Sequence, residues 1–270
     1  MATEPGYGQI DRSYAMRLAT VPPDDDGPIL MVNLMKYRDR ARYADGTDGG
    51  ASGREADDRY APVDVLQEIG AEVLLFADVD TQLLGDSPRW DRVGCVQYPT
   101  RRSFIEMRSR RDFQDRHQHK EAGMESTIVI GCVPIEVPGL ADELAEVPWT
   151  EVAHPPTDED GPVIVMHVIR FHGGIEGAAG MEGYHDAAFR VAAKHGGRIG
   201  GWYRAEGTIV GDGREWHEVR FNVFPSKAAF IAVAMDPDRL AAQAAHREPS
   251  IADTYALILR PTINRLPGAG

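Results

Sequence analysis

His167 stands in the run "VIVMHVIRF", an imidazole among apolar and β-branched residues that read as a strand. An imidazole enclosed there has a shifted pKa and can take or give a proton near neutrality. An earlier run, "ILMVNLMKY", carries Asn33 in the matching place, so the exchange of Asn33 for His167 turns a bland position into a reactive one. Tyr60 and Tyr184 each start a helix and can turn a hydroxyl toward a sheet. His119 and His246 share an H-[KR]-E pattern near a helix end, where capping by the helix dipole competes with catalysis. Lys36 and Arg170 close the two strands and suit an anionic group. Arg220 and Asn222 add polarity to a third strand where Gly94 and Val96 stand earlier in the chain. The candidate proton-transfer residues are therefore His167, His246 and Tyr184. Arg170, Arg220, Asn222, Asn33, Tyr60 and His119 are the candidate substrate-binding residues, and the second half of the chain is the better equipped.

No spacing advertises a metal. His117 and His119 are two apart and diverge on a helix, while His167 and His172 are five apart on a strand. A site assembled from His167, His246 and a carboxylate, or haem on a single histidine, stays open as an alternative. There is no phosphate-binding glycine loop, no G-x-S-x-G elbow and no dinucleotide fingerprint. The expectation is a site without a tightly bound cofactor. Cys95 and Cys132 fall in apolar slots on strands separated by a third, roughly 9–10 Å apart, too far for a disulfide.

These residues have to be positioned by something, and the chain writes that scaffold twice. "GDSPRWDRVGCVQYPT" and "GDGREWHEVRFNVFPS" align with Trp90 and Trp216 126 positions apart. Gly70 and Gly196, and Phe104 and Phe230, keep that offset. "HKEAGMEST" meets "HREPSIADT" at 127, one insertion later, and "MVNLMKY" meets "VMHVIRF" at 134. Each unit reads strand, helix, strand, strand, helix, strand, the ferredoxin-like order. The spacing predicts a helix over 54–69 stopped by Gly70, helix starts at Thr100 or Arg101 and at Ser226, and a break at Pro237. The expected division is an N-terminal extension over 1–27, a first repeat over 28–137, a linker over 138–161 and a second repeat over 162–266. Both alternating rows of the first strand are apolar, as in a strand buried on both faces. The expected fold is α+β: two βαββαβ repeats whose antiparallel sheets pack face to face, a pseudo-dimer within one chain.

The net charge of −13 argues against a surface that tracks nucleic-acid phosphates. The basic run Arg101–Lys120 reads as a solvated helical face. No signal peptide is visible at the N-terminus and no apolar run reaches the length of a membrane span. With two cysteines, the default expectation is a cytoplasmic protein with a small-molecule partner, without nucleic acid or membrane, monomeric as a pseudo-dimer or assembled further as a homo-oligomer.

"PILMVNLMKYRDRARY", "SGREADDRY", "WDRVGCVQYPTRRSFIEM" and "HKEAG" resemble the long form of the DUF1330 family, in the dimeric α+β barrel superfamily. Residues 28–137 carry the resemblance, and 162–266 carry it more faintly through "YHDAAFRVAAKHGG", "FPSKAAFIAV" and "HREP". The resemblance implies the two-sheet fold. It spreads function over cofactor-free monooxygenases, isomerases, cyclases, haem-using enzymes and stress-response proteins, and a shared fold does not choose among them. The leading expectation is a small-molecule enzyme performing acid–base chemistry on a partly apolar carbonyl compound between the sheet and helices of the second repeat. A non-catalytic binding or stress-response protein, and a haem- or metal-dependent oxidoreductase, are the alternatives.

Overall fold

The apolar run after Gly27 forms a strand, Ile29–Tyr37, whose two faces are both closed to solvent. Leu30, Val32 and Leu34 on one side are at most 1% exposed, and Met31 and Met35 on the other at most 5%. A strand with that burial belongs inside a layered structure. The computed structural model describes residues 5–46, 50–137 and 146–268. Residues 47–49 of the glycine-rich loop and 138–145 of the expected linker lie outside the described residues.

In chain order the elements are β1 (Gln9–Ile10), α1 (Arg12–Thr20), β2 (Ile29–Tyr37), α2 (Gly53–Tyr60), α3 (Val63–Glu68), β3 (Glu72–Leu84), β4 (Arg92–Tyr98), α4 (Arg101–Ser109), α5 (Arg111–Gly123) and β5 (Met124–Pro134). Then come β6 (Val163–Phe171), a 3-10 segment (Gly174–Met181), α6 (Glu182–Lys194), β7 (Arg198–Gly211), β8 (Glu218–Phe224), α7 (Lys227–Ala234), α8 (Pro237–Ala242), a π segment (Gln243–Arg247), one helical turn (Glu248–Ser250) and β9 (Ile251–Asn264). No helix of the described residues is long and apolar enough to cross a membrane.

The chain forms two compact units. The first holds Met1–Phe76, Ser87–Val133 and Ala205–Glu215, with strand order β5-β2-β4-β3 and the last part of β7 beside β5. Its helices cover Met31, Met35, Tyr98, Phe104, Met107 and Phe113. The N-terminal stretch joins this core, because Tyr14 and Leu18 of α1 are both 1% exposed. Gly207 makes room for the Tyr14 ring, which a Cβ there would meet at 2.7 Å. The second unit holds Ala77–Asp86, Pro134–Arg204 and Trp216–Gly270, with strand order β9-β6-β8-β7 and the last part of β3 beside β9.

The ladders of the two units share one register. Asn33 faces Gly94 across β2–β4 as His167 faces Arg220 across β6–β8. Leu30 faces Cys132 as Ile164 faces Leu259. A bulge at Lys36/Tyr37 has its counterpart at Arg170/Phe171. After each bulge the backbone N–H is taken by a side chain: Tyr37 N–H donates to the Asp91 carboxylate at 2.8 Å, and Phe171 N–H to His217 Nδ1 at 2.9 Å.

Helix starts follow capping chemistry. Thr100 accepts from Ser103 N–H at 3.0 Å and Ser226 from Ala229 N–H at 3.0 Å. The expected single helix over 54–69 is instead two, α2 and α3, divided at Ala61–Pro62. Proline removes a hydrogen-bond donor and pushes the residue before it out of the helical region, so the break falls there. The break expected at Pro237 is present, with Asp236 capping α8. Cys95 and Cys132 are buried, unpaired thiols on β4 and β5, and burial raises both pKa values.

Candidate functional site

Between the sheet and the helices of the second unit lies a cavity of about 480 Å³, within the usual range for small-molecule sites. Its floor is one face of β6, where Val165, His167 and Ile169 alternate inward, joined by Asn222 and Phe224 of β8 and Trp202 of β7. Its roof is α6. Tyr184, Ala188 and Ala192 fall on one helical stripe, and His185, Phe189 and Ala193 on the next. Phe230 and Val233 of α7, Arg239 of α8 and Arg247 of the π segment close the side.

Two imidazoles define the polarity of this space. His167 lines the cavity, and its Nδ1 is buried without a hydrogen-bond partner. Burial, with repulsion from Arg247, Arg220 and Arg239, holds its pKa well below the ordinary 6.5, so the ring is neutral at pH 7. His185 is 5% exposed, and burial with the Arg220 charge lowers its pKa to about 3. Arg220 Nη1 lies 2.6 Å from His185 Nε2. A guanidinium only donates, so Nε2 accepts and the proton of the neutral ring sits on Nδ1. That Nδ1–H is buried and has no acceptor.

Arg220 is fixed from the other side. Its Nε donates to Glu218 at 2.7 Å, both side chains are 5% exposed, and its guanidinium lies 4.0 Å over the Trp202 ring. It therefore orients His185 and does not itself line the cavity. Arg239 donates to the Tyr184 hydroxyl at 3.1 Å and to the Ala234 carbonyl, which leaves the tyrosine O–H free to donate. Arg247 is 6% exposed, its Nη2 is buried without a partner, and burial lowers its pKa.

Of the residues expected from sequence, His167, Tyr184 and Asn222 meet in this cavity, and Arg220 stands directly behind it. His246 does not join them. It is exposed, with its ring against Gly183 of α6, where a Cβ would lie 2.5 Å from Nε2. Its neighbour Arg247 faces inward, because adjacent helical residues point about 100° apart. The alignment offset changes from 126 to 127 across this stretch, and the widened π segment Gln243–Arg247 lies in it, taking up one extra residue. Arg170 is exposed at the end of β6.

The first-unit candidates have other partners. The Asn33 amide donates to the Met31 and Gly94 carbonyls, both at 3.3 Å. His119 Nδ1 is 2.9 Å from the Tyr43 hydroxyl. Tyr60 packs edge-on against Phe113 and His117, with the Lys120 ammonium 5.3 Å from its ring centre. Lys36 pairs with Asp91 at 3.2 Å.

Sequence reasoning missed His185, Arg239 and Arg247. For His185 the signal was its i, i+4 relation to Phe189. For Arg247 it was the basic member of the same H-[KR]-E pattern that pointed to His246. Arg239 carried no signal.

Among the described residues no group of three or more His, Cys, Asp or Glu side chains could hold a metal ion. A ligating imidazole normally donates its second N–H to a carboxylate or carbonyl. His185 accepts from Arg220 at Nε2 and so carries its proton on Nδ1, which does not fit an iron- or zinc-bound histidine.

No family model matches the chain, and no curated protein matches it. Solved structures do. A protein of unknown function from Rhodopseudomonas palustris is 26% identical over 49% of this chain and 99% of its own, with a TM-score of 0.42. A mutant chlorite dismutase from Candidatus Nitrospira defluvii is 12% identical over 93% of this chain and 95% of its own, with a TM-score of 0.50. An anthrone oxidase-like protein is 12% identical over 91% and 98%, also at 0.50. At that identity the last two likenesses speak for fold alone, a mixed α/β architecture built on antiparallel strands.

Proposed function

We propose that the second unit is the working half of a small-molecule enzyme that performs acid–base chemistry without a tightly bound cofactor. Its substrate is a partly apolar carbonyl compound seated between β6 and α6. His167, neutral at pH 7, takes a proton from the carbon next to the carbonyl. The Tyr184 hydroxyl, oriented by Arg239, and the Nδ1–H of His185, oriented by Arg220, then donate to the oxygen on which negative charge collects. Isomerisation, cyclisation, elimination and oxygenation of an enolate by dioxygen all share this first step. The observation that carries the proposal is the pair of neutral imidazoles whose Nδ1 atoms are buried and unpartnered in a largely apolar cavity. Positions like these, with shifted pKa values in a cleft, concentrate at functional sites.

We also read the chain as a tandem duplication of one ferredoxin-like unit, related to the DUF1330 family. The shared strand order and the matched bulges support that reading.

The test is solvent-deuterium exchange at the α-carbon of a panel of cyclic and aryl ketones, followed by proton NMR. The expected result is exchange above the buffer rate that falls on the order of 10²–10⁴-fold in His167→Ala, with circular dichroism unchanged. Exchange that is absent from the wild type, or that survives the substitution, would overturn the assignment.

A further inference from the structure

The cavity holds a buried cation that pairs with no carboxylate among the described residues; the exposed Glu248 favours its charge without forming an ion pair with it. Arg247 is 6% exposed, lines the cavity, and makes no ion pair among the described residues; its Nη2 has no hydrogen-bond partner. A guanidinium does not shed its proton at any ordinary pH, so it cannot escape burial by becoming neutral. A buried charge left alone is strongly unfavourable. Among the described residues of the second unit the one buried carboxylate residue, Glu218, is already taken by Arg220. Glu248, next in the chain, is exposed and receives the Gln243 amide at 3.0 Å.

The first unit handles the same position differently. Lys120, aligned with Arg247 at the offset of 127, is 9% exposed and stands beside the buried Asp57 carboxylate, whose field favours its charged form. There the protein supplies its own anion. In the second unit Met181 stands in the place of Asp57, at the offset of 124 that pairs Tyr60 with Tyr184, and Arg247 lines a cavity walled also by Val165, Ile169, Phe189 and Trp202.

We propose that this space takes a carboxylate ligand: an apolar, preferably aromatic, monoanionic acid whose carboxylate is held by the Arg247 guanidinium with Arg239 beside it. The assignment rests on the cavity being the substrate site proposed above and names its substrate class. A planar guanidinium matches a carboxylate with two parallel N–H···O bonds. The apolar walls supply the rest of the affinity, and a monoanion matches the single planar fork that Arg247 presents.

The experiment is isothermal titration calorimetry of the full chain with 2-naphthoate, 2-naphthamide and 2-naphthyl phosphate. The carboxylate is expected to bind at least about tenfold tighter than the amide and the phosphate. Arg247→Gln is expected to lose that preference, with amide affinity changed by less than about twofold. Arg247→Lys, which keeps the charge and loses the planar fork, is expected to keep part of it. Equal binding of acid and amide, preference for the phosphate, no binding of any of the three, or a preference that survives Arg247→Gln would overturn the proposal. Should Arg247→Gln fail to fold, the comparison of ligands on the wild type and on Arg247→Lys decides. Binding is read here without turnover. Absent deuterium exchange with an intact carboxylate preference therefore defeats the catalytic assignment and leaves this one standing.

Discussion

The helix-covered face of the first unit carries a cluster of buried large side chains, and the same face of the second lines a cavity. Register pairs Met31 with Val165, Met35 with Ile169 and Tyr98 with Phe224, and the alignment pairs Met107 with Val233. Met31 to Val165 and Met107 to Val233 remove side-chain volume from the second unit, Tyr98 to Phe224 removes a hydroxyl, and Met35 to Ile169 is close to volume-neutral. Interiors are close-packed, so volume removed together from one face leaves space when the backbone frame does not collapse. The polar residues change in the same direction. Asn33 satisfies its amide on backbone carbonyls, whereas His167 in its place keeps a bare Nδ1. Asp57, Lys120, Tyr37 and Arg92 form a buried group in which cation and carboxylate are both present. Arg247 in the other unit has no such partner. The first unit closes Asn33 and the Asp57 group with its own residues, and the second leaves the matching His167 and Arg247 open.

The largest effect that would sharpen this comparison is expected from Asp57→Ala. It strips a carboxylate that accepts from Tyr37 Oη at 2.6 Å and leaves Lys120 without its anion, so it should cost about 3 kcal/mol of stability in urea denaturation.

Acid should weaken both units, by about 2 kcal/mol per affected histidine between pH 7 and pH 5. His117 in the first unit is held at about 4 and His185 in the second at about 3, each mainly by burial, and His167 is also held below 6.5. Above pH 6.5 these rings are neutral folded and unfolded, and their contribution is complete. Below it the unfolded chain binds protons that the folded chain refuses, so stability falls as pH falls toward the folded values. His117→Gln and His185→Gln should each flatten the urea midpoint profile by one histidine's share. A profile unchanged by both would break the picture of enclosed neutral rings.

Arg247→Met should move stability the opposite way from Asp57→Ala, raising it by about 1 kcal/mol, because it removes an unbalanced buried charge. A loss comparable to that of Asp57→Ala would mean that Arg247 is as well partnered as Lys120, and would end the contrast between the units.

The smallest effect is expected at Gly94, the counterpart of Arg220. A Cβ there meets Met35 and Phe76 at 3.5 Å, ordinary contact, so Gly94→Ala should shift the urea midpoint by less than about 1 kcal/mol in either direction.

Much of the frame was readable in the chain because it depends on local chemistry. Continuous apolar runs placed β2 and β6, and the helix starts followed from hydroxyls at Thr100 and Ser226. The offsets of 134, 126 and 127 anticipated ladder registers that the two units share. The candidate site was readable only in part. His167 was found because a strand has a period of two, and one exchange on one face stands out. His246 was preferred to Arg247 because the local pattern cannot say which of two neighbours on a helix faces inward, least of all across a π segment that shifts the phase by one residue.

By itself, the sequence determined the order of strands and helices, their caps, the repeated registers and the mid-strand imidazole, all set by interactions over a few residues or by simple alternation. Only the tertiary structure decided that Arg220 turns to Glu218 and His185, that Arg247 points inward without an anion, and that reduced side-chain volume becomes a cavity. Those outcomes depend on which distant side chains meet, and on how completely they fill the space between a helix and a sheet.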